Sequence, residues 1–177
     1  MAQNSKCVWL TGLPCSGKTT ITDGLSAKLL ENGKHSIVLD GDVLRSSLNS
    51  DLGFDIKSRD TAMERVAQLA YLLCSQNMNT LVAVISPLEK HRDFAKKIFA
   101  KDKNFYEIYL STKLEECERR DVKGMYKKAR NKEIMNFTGI DSIYEEPKSP
   151  FMSLDTMEYS ISESIDLIYE KVFLHKV

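Results

Sequence analysis

The sequence predicts an α/β fold in which a five-stranded parallel sheet is flanked by helices. Short apolar runs alternate with longer amphipathic stretches along the 177 residues, which is typical of βαβ units. A glycine-rich turn with the pattern G-x-x-x-x-G-K-[ST] follows the first run, and two aspartates follow the second. Because ligands of parallel sheets bind at the carboxyl ends of the strands, both features indicate a site at that edge.

Composition is sufficient for one domain spanning 1–177, with 42% hydrophobic and 28% charged residues. The 25 Lys and Arg residues balance 25 Asp and Glu residues, so we expect no nucleic-acid polymer as a partner. Apolar runs such as 81–85 are too short to cross a bilayer, so we expect no membrane partner. The four cysteines are scattered without a CxxC pair, which predicts a reduced, cytoplasmic protein.

The first half of the chain supplies two strands and two helices. The apolar run over 7–11 is a strand candidate that leads directly into the glycine-rich turn. The stretch 19–32 has apolar residues at helical spacing and stops at Gly33, a typical C-terminal cap. A second strand at 37–39 ends at the first aspartate, and a long helix over 58–76 follows. The apolar positions of the helices are Ile21, Leu25, Leu29 and Leu30 in the first, and Met63, Val66, Leu69, Ala70 and Leu73 in the second.

The second half continues the alternation with one interruption. The run 81–85 is apolar throughout, which predicts a strand buried on both faces near the middle of the sheet. The segment 121–150 contains glycines and prolines without a clear period, so we expect an irregular excursion over the surface. The remaining predicted elements are helices over 89–99, 113–120 and 161–173, and strands over 106–110 and 151–155.

The glycine-rich turn has the spacing of a phosphate-binding P-loop between a strand and a helix. Successive backbone N–H groups of such a loop point at phosphate oxygens, and its lysine adds a positive charge. The hydroxyl that follows the lysine can coordinate Mg²⁺. We therefore predict ATP and Mg²⁺ as cofactors, and the ATP-binding residues Gly12, Pro14, Cys15, Ser16, Gly17, Lys18, Thr19 and Thr20.

Two aspartates follow the second predicted strand in the sequence LDGD (39–42). Mg²⁺ prefers hard oxygen ligands, and an attacking hydroxyl needs a proton acceptor. We assign Asp40 to the metal shell together with Thr19, and Asp42 as the general base, so that Lys18, Asp40 and Asp42 are the catalytic residues. The alternative is that Asp42 is a helix N-cap and Asp40 a solvated turn residue.

These motifs and several others resemble the adenylylsulfate (APS) kinase family over residues 8–156. The resemblance implies a P-loop NTPase fold of the nucleoside-kinase type and phosphorylation of the ribose 3′-hydroxyl of adenylylsulfate by Mg·ATP, giving 3′-phosphoadenylylsulfate. The matching segments are TGLPCSGKTT (11–20), LDGDVLR (39–45), LGF (52–54), ISP (85–87), RDVKGMYKKAR (120–130), FTGIDSIYE (137–145) and LDT (154–156).

The resemblance also implies roles for individual residues. Phe54 and Phe137 would sandwich the acceptor base, Arg59 would contact the acceptor nucleotide, and Arg120 would bind ATP. A lid over about 121–150 would carry Lys123, Lys127 and Lys128. The implied substrate-binding residues are Asp42, Arg45, Phe54, Arg59, Ser86, Pro87, Lys123, Lys127, Phe137, Thr138 and Gly139.

Residue composition supports a lid independently of the resemblance. The stretch 119–132, called the basic strip below, holds seven Lys or Arg residues and one acid in an otherwise neutral protein. Such a strip can neutralise the phosphates of two bound nucleotides, although a charge run is more often a solvated helix face. Ser86 has a similar alternative, because it can hydrogen-bond a phosphate or act as a helix N-cap.

The acceptor side departs from the family pattern in a few places. Ala62 stands where the family has asparagine, Glu64 where it has arginine, and His91 where it has aspartate. The same reaction on a cytidine nucleotide, such as cytidine diphosphoramidate in capsule biosynthesis, is therefore kept as an alternative. A small-metabolite P-loop kinase and a non-catalytic nucleotide-binding regulator are weaker ones. The expected partner is a small-molecule nucleotide, and a homodimer is left open.

Overall fold

The computed structural model of the chain describes residues 5–174, so the ends of the predicted domain lie outside the described residues. Five parallel strands form one sheet, which confirms the predicted sheet. The strands are β1 Cys7–Thr11, β2 Ser36–Asp40, β3 Asn79–Ala83, β4 Phe105–Leu110 and β5 Met152–Leu154. Their order in the sheet is β2-β3-β1-β4-β5, so the apolar strand β3 is an inner strand, as expected.

Seven α-helices accompany the sheet in the described part of the chain, and two of them were not predicted. The unpredicted helices have six residues each, too few to show a helical period in the sequence. One lies inside the segment 121–150, which is therefore less irregular than expected. The helices are α1 Lys18–Glu31, α2 Gly41–Ser46, α3 Ile56–Ser75, α4 Glu89–Ile98, α5 Leu114–Arg120, α6 Met125–Arg130 and α7 Ile161–Tyr169, with a π-helical segment Glu170–Leu174 after the last.

Helices cover both faces of the sheet and produce two apolar cores. On one face α1 packs over β1, β2 and β3 and against α7, and Leu25, Ile108 and Ile168 share one apolar cluster. On the other face α3 packs over β1 and β3 and against α4, and Trp9 and Phe99 share the second cluster. A sheet buried on both faces explains why its inner strands are apolar throughout rather than alternating.

The parallel arrangement brings the carboxyl ends of all five strands to one edge of the molecule. The glycine-rich loop leaves β1, which lies between β3 and β4, so the chain adds β2 and β3 on one side of β1 and β4 and β5 on the other. This is the switch point at which open parallel sheets bind ligands. Within residues 5–174, no helix is both long enough and apolar enough to span a membrane.

Candidate active site

The glycine-rich loop joins β1 to α1, and its shape depends on two glycines. Gly12 has φ 151° and Gly17 has φ 103°, a region that L-residues with side chains rarely adopt. A Cβ atom at Gly12 would lie 2.8 Å from both the Leu110 carbonyl oxygen and the Ser16 Oγ. The backbone therefore closes into a tight cradle that only glycine permits, as a phosphate-binding loop requires.

Lys18, the first residue of α1, folds its ammonium group back over this cradle. Its Nζ donates to the carbonyl oxygens of Gly12 at 2.9 Å and Leu13 at 2.7 Å, and to the Ser16 Oγ at 3.3 Å. Burial lowers the pKa of Lys18 to about 8. The side chain thus places a cation at the position where phosphate oxygens bind in a loop of this kind.

Thr19 in the first turn of α1 and Asp40 at the end of β2 lie side by side although they are 21 residues apart in the sequence. The Thr19 Oγ1 donates to Asp40 Oδ2 at 2.7 Å, and the other carboxylate oxygen accepts from the backbone N–H of Asp42 at 2.9 Å. Asp40 is therefore the N-cap of α2, which corrects the alternative that gave this role to Asp42. A hydroxyl and a carboxylate at this distance are hard oxygen donors beside the phosphate cradle, so they fit Mg²⁺.

Asp42 lies in the first turn of α2 and its side chain is 77% exposed. Its carboxylate forms an ion pair with Lys123 of the basic strip, and this contact raises the pKa of Lys123. An exposed carboxylate two residues beyond Asp40 is accessible to a bound hydroxyl group. The position is compatible with a general base, whereas a capping role is already filled by Asp40.

Arg45 and Phe54 form a second unit at the end of α2. The Arg45 guanidinium lies 4.6 Å from the centre of the Phe54 ring and donates to the Gly53 carbonyl oxygen at 2.8 Å. Phe54 nevertheless remains 61% exposed, so one face of its ring is available for stacking. The resemblance placed both residues at the acceptor, and the structure brings them together.

Phe137 lies in the loop that follows the basic strip. Its half-buried ring meets Tyr126 edge-to-face, with the ring centres 4.9 Å apart. Arg59 connects this loop to the Phe54 loop, because it donates to the Thr138 Oγ1 at 3.2 Å and to the Phe54 carbonyl oxygen at 3.0 Å. The guanidinium expected at the acceptor nucleotide therefore contacts two protein loops in the structure.

Ser86 does not have the position that either sequence interpretation gave it. It is 1% exposed, accepts a hydrogen bond from the Trp9 Nε1 at 3.1 Å and donates to the Thr11 Oγ1 at 2.9 Å. It is not a helix cap, since Leu88 precedes the first residue of α4. The Ser86 hydroxyl is thus engaged by Trp9 and Thr11, and the adjacent Pro87 offers its carbonyl oxygen to the Glu145 N–H at 2.7 Å.

The first residues of the basic strip contact the glycine-rich loop. Arg120 donates to the carbonyl oxygens of Cys15 and Thr156, both at 3.3 Å, and the Tyr126 hydroxyl donates to the Pro14 carbonyl oxygen at 3.1 Å. Four of the seven strip cations form ion pairs with acids of the described chain, and Lys127 is exposed. The strip is therefore anchored at its start and exposes cations further along.

A buried arginine network supports this edge of the sheet and was missed by sequence reasoning. Arg92 is 1% exposed and donates to the carbonyl oxygens of Ser86 and Glu145, each at 2.7 Å. Its Nε lies 3.1 Å from Glu107 Oε1, and that carboxylate is equally buried. The one signal was an acid inside the otherwise apolar strand β4, which indicates a buried ion pair.

A cavity of about 580 Å³ opens between the end of β4 and the loop over 139–144. Leu13, Tyr109 and Ile140 contribute to its wall. Gly139 is the one predicted substrate-binding residue in that wall. The remaining predicted acceptor residues do not line this cavity.

Comparison with known sequences gives a consistent family. The family model described as adenylylsulphate kinase matches residues 4–155. The adenylyl-sulfate kinase of Clostridium acetobutylicum is 43% identical over 177 residues, which cover 100% of this chain and 88% of the relative. A probable adenylyl-sulfate kinase of Halalkalibacterium halodurans is 43% identical over 173 residues, covering 98% and 82%.

Comparison with solved structures agrees. The APS kinase of Mycobacterium tuberculosis in complex with AMPPNP and APS has a TM-score of 0.91 and 44% identity, covering 94% of this chain and 96% of that one. A gluconokinase of Sinorhizobium meliloti has a TM-score of 0.57 at 10% identity, which shows a shared fold alone. With a P-loop kinase fold, a family model that matches most of its length and relatives at 43% identity, this chain belongs to the adenylylsulfate kinase family.

Proposed function

We propose that this chain transfers the γ-phosphoryl group of ATP to the 3′-hydroxyl of adenylylsulfate, giving 3′-phosphoadenylylsulfate and ADP. The observation that carries the proposal is the adjacency of three groups: the Lys18 ammonium over the phosphate cradle, the Thr19–Asp40 hydrogen bond, and the exposed carboxylate of Asp42. This is the set that phosphoryl transfer to an alcohol requires. Relatives over the full length of the chain carry the name of the same activity.

The glycine-rich loop binds the phosphates of ATP in this proposal. The backbone N–H groups between Gly12 and Thr20, apart from Pro14, which has none, surround the β- and γ-phosphates, and Lys18 leaves the loop carbonyls to neutralise them. Thr19 and Asp40 would hold Mg²⁺, which would supply positive charge to neutralise the phosphate oxygens. Arg120 lies against the loop and Thr156, where it borders the rest of the ATP molecule.

Asp42 accepts the proton of the attacking hydroxyl. The 3′-oxygen forms a bond to the γ-phosphorus while the bond from that phosphorus to the β,γ-bridging oxygen breaks, and ADP leaves. Lys123 pairs with the Asp42 carboxylate and orients it before the acceptor binds. Lys127 and the other exposed cations of the basic strip, acting as a lid, neutralise charge on both nucleotides.

Aromatic rings and short loops bind the acceptor. Phe54 and Phe137 stack on the two faces of the adenine ring, and Arg45 supports Phe54 from behind. The backbone of the 137–139 loop and of Pro87 lines the same side. Because the Ser86 hydroxyl is buried, Ser86 shapes this wall without contacting the acceptor.

A cytidine nucleotide is the second candidate acceptor, favoured by the side chains at two positions of α3. Ala62 is buried and carries only a methyl group, and Glu64 is exposed and negatively charged, so neither supplies the polar contact expected from the family pattern. One lost hydrogen bond to a neutral partner costs about 0.5–1.5 kcal/mol, and stacking tolerates any flat base. Adenylylsulfate remains the preferred acceptor.

The chain forms one catalytic domain over 1–177 in this proposal, since both cores pack on the same sheet. It acts in the cytoplasm, where ATP and reduced thiols are available. A homodimer is compatible with these residues, and an APS kinase of Thiobacillus denitrificans with a TM-score of 0.72 is described as hexameric.

An acceptor-dependent assay tests the proposal. ADP release from Mg·ATP is followed with and without adenylylsulfate, with Asp42→Asn as the matched variant that lacks the base. We expect turnover that requires both adenylylsulfate and Asp42, whereas a non-catalytic regulator shows no acceptor-dependent turnover. The ratio of kcat/KM for adenylylsulfate and cytidine diphosphoramidate then ranks the acceptors. We expect adenylylsulfate to be preferred by less than about 10³-fold, and a preference for the cytidine compound contradicts the assigned acceptor.

A further inference from the structure

We propose that Glu116 is a positioning residue for ATP: its carboxylate fixes the orientation of the Arg120 guanidinium, and Arg120 in that orientation contacts the bound nucleotide. Glu116 itself does not contact ATP in this proposal. The inference rests on the proposed function, because it assumes that the glycine-rich loop binds ATP and that Arg120 borders it. Glu116 precedes the segment 120–130 and belongs to none of the motifs that carry the family resemblance.

Arg120 connects three parts of the chain through its guanidinium group. Its Nε donates to Glu116 Oε1 at 2.8 Å. Its Nη1 and Nη2 donate to the carbonyl oxygens of Cys15 and Thr156, both at 3.3 Å. Among the described residues these are three partners for five N–H donors, so each terminal nitrogen keeps one N–H for a ligand. The flat face of a guanidinium can in addition stack on a nucleotide base.

The hydrogen bond to Glu116 is the one that fixes the orientation of the group. A hydrogen bond between two charged groups is about twice as strong as one between neutral groups. At 3.3 Å the two bonds to backbone carbonyls lie beyond the usual range of N–H···O bonds, so they restrain the guanidinium weakly. Arg120 is also the last residue of α5, and the chain turns at Asp121 with φ 22°, so its side chain has no following turn of α5 to pack on.

Glu116 is held in turn by a second arginine of the same helix. Arg119 Nε donates to Glu116 Oε2 at 2.7 Å and its Nη2 donates to Oε1 at 2.9 Å, which makes a bidentate pair. The Glu116 side chain is 13% exposed, whereas that of Arg119 is 74% exposed and lies on the solvent side. Hydrogen bonds from Arg119 and Arg120 lower the pKa of Glu116 to about 2. The carboxylate is therefore charged and fixed at neutral pH.

The sign of the effect on ATP binding distinguishes positioning from simple charge. A carboxylate near a polyphosphate repels it, so by charge alone the loss of Glu116 would strengthen ATP binding. If Glu116 orients Arg120, its loss weakens ATP binding instead, because the guanidinium must then be ordered when the nucleotide binds. The chemical step is spared at saturating ATP, since Lys18 and Asp42 have other partners.

Equilibrium titration with Mg·ATP tests the inference on Glu116→Gln, which keeps the shape of the side chain and removes its charge. We expect the Kd for ATP to rise about fivefold to tenfold. The kcat at saturating ATP and the KM for adenylylsulfate should stay within about twofold of the parent. An unchanged or lower Kd overturns the proposal. A fall in kcat as large as the rise in Kd also overturns it, because positioning for binding leaves the chemical step intact.

A double-variant cycle with Arg120 shows whether Glu116 acts through that residue. Glu116→Gln, Arg120→Met and the double variant are each titrated with Mg·ATP. We expect Arg120→Met to weaken binding at least as much as Glu116→Gln, and the double variant to bind ATP as Arg120→Met does, within about twofold. Multiplicative effects of the two substitutions mean that Glu116 acts independently of Arg120, which overturns the proposal.

The matched control is Glu115→Gln, the same substitution at the preceding, exposed position of α5. Its Kd for ATP should equal that of the parent or be slightly lower, because only a negative charge is lost. An increase as large as that of Glu116→Gln overturns the proposal.

The titrations need no acceptor, so they separate this inference from the proposed function. A parent that binds Mg·ATP but shows no adenylylsulfate-dependent ADP release overturns the proposed function, while the Kd values still decide the role of Glu116. A parent that does not bind Mg·ATP overturns both.

Discussion

Lys18 supplies the positive charge at the phosphate cradle, so its removal tests whether that charge is required for turnover. Lys18→Ala removes the ammonium that donates to the Gly12 and Leu13 carbonyl oxygens and that would neutralise the ATP phosphates. We expect acceptor-dependent turnover to fall below detection while the thermal unfolding transition remains cooperative. Lys28→Ala, which removes a half-buried lysine of the same helix paired with Asp166 and remote from the cradle, is the control and should keep parental turnover. Turnover of Lys18→Ala within a few-fold of the parent contradicts a P-loop mechanism.

The proposed role of Asp42 as general base can be distinguished from that of Asp40 as metal ligand by measuring both turnover and ATP binding. Asp42→Asn keeps the shape of the side chain but cannot accept a proton, so we expect kcat to fall at least about 10²-fold. Affinity for ATP should stay near that of the parent, because Asp40 and not Asp42 contacts Thr19. Asp51→Asn removes another exposed carboxylate and serves as the control. High residual turnover with lost ATP binding indicates that the two roles are reversed.

Sequence reasoning placed some site residues and misplaced others for a physical reason. Lys18 and Asp40 could be placed because each lies within a short motif at the end of a strand, where neighbours in sequence are neighbours in space. Ser86 and Arg92 could not, because their partners are distant in sequence: Ser86 contacts Trp9, and Arg92 pairs with Glu107. Local patterns carry no information about such contacts.

Among the elements, the loop after β1 depends on the close approach of the Gly12 backbone to the Leu110 carbonyl oxygen at the end of β4. Gly12→Ala would place a methyl group 2.8 Å from the Leu110 carbonyl oxygen at φ 151°. We expect a loss of about 1–3 kcal/mol in the free energy of unfolding, measured by chemical denaturation. Gly33→Ala is the matched control, because φ is 69° there but nothing lies within 4 Å of the added Cβ. Equal losses for the two variants would show that crowding at Gly12 plays no part.

The long elements were predictable and the short ones were not. Periodic apolar residues identified α1 and α3, and the uniform apolar runs identified β1 and β3. The helices α2 and α6 begin where an aspartate side chain caps their first turn, Asp40 for α2 and Asp121 for α6. Each of these helices has only six residues and depends on such a cap and on packing against the loops around the site. A hydrophobic period in the sequence does not reveal helices of this kind.

At the scale of the whole molecule, the side chain of His91 joins α4 to α3. Its Nε2 lies 2.7 Å from Asp60 Oδ1, its Nδ1 accepts weakly from the Leu88 N–H at 3.4 Å, and the ring is 3% exposed. Burial lowers the pKa of His91 below its usual value of 6.5, so the folded protein holds the ring in its neutral form. Unfolding then takes up a proton at acidic pH, and stability falls in that range.

We expect the contribution of His91 to be fully present above about pH 6.5 and to be lost as pH falls through its lower folded-state value. Its slope is at most about 1.4 kcal/mol per pH unit. His91→Gln should flatten the dependence of the free energy of unfolding on pH between about 5 and 7, whereas the exposed His35→Gln should leave it unchanged. An identical slope in the parent and His91→Gln would contradict a neutral buried ring.

The position of the transferred phosphate distinguishes a 3′-kinase from every other ATP-dependent activity. The enzyme is incubated with Mg·ATP and either adenylylsulfate or its 3′-deoxy analogue, and the products are analysed by mass spectrometry together with ADP release. We predict one ADP per 3′-phosphoadenylylsulfate formed from adenylylsulfate, and no acceptor-dependent ADP from the 3′-deoxy analogue. Equal ADP release with both compounds, or a phosphate at another position of adenylylsulfate, would contradict it.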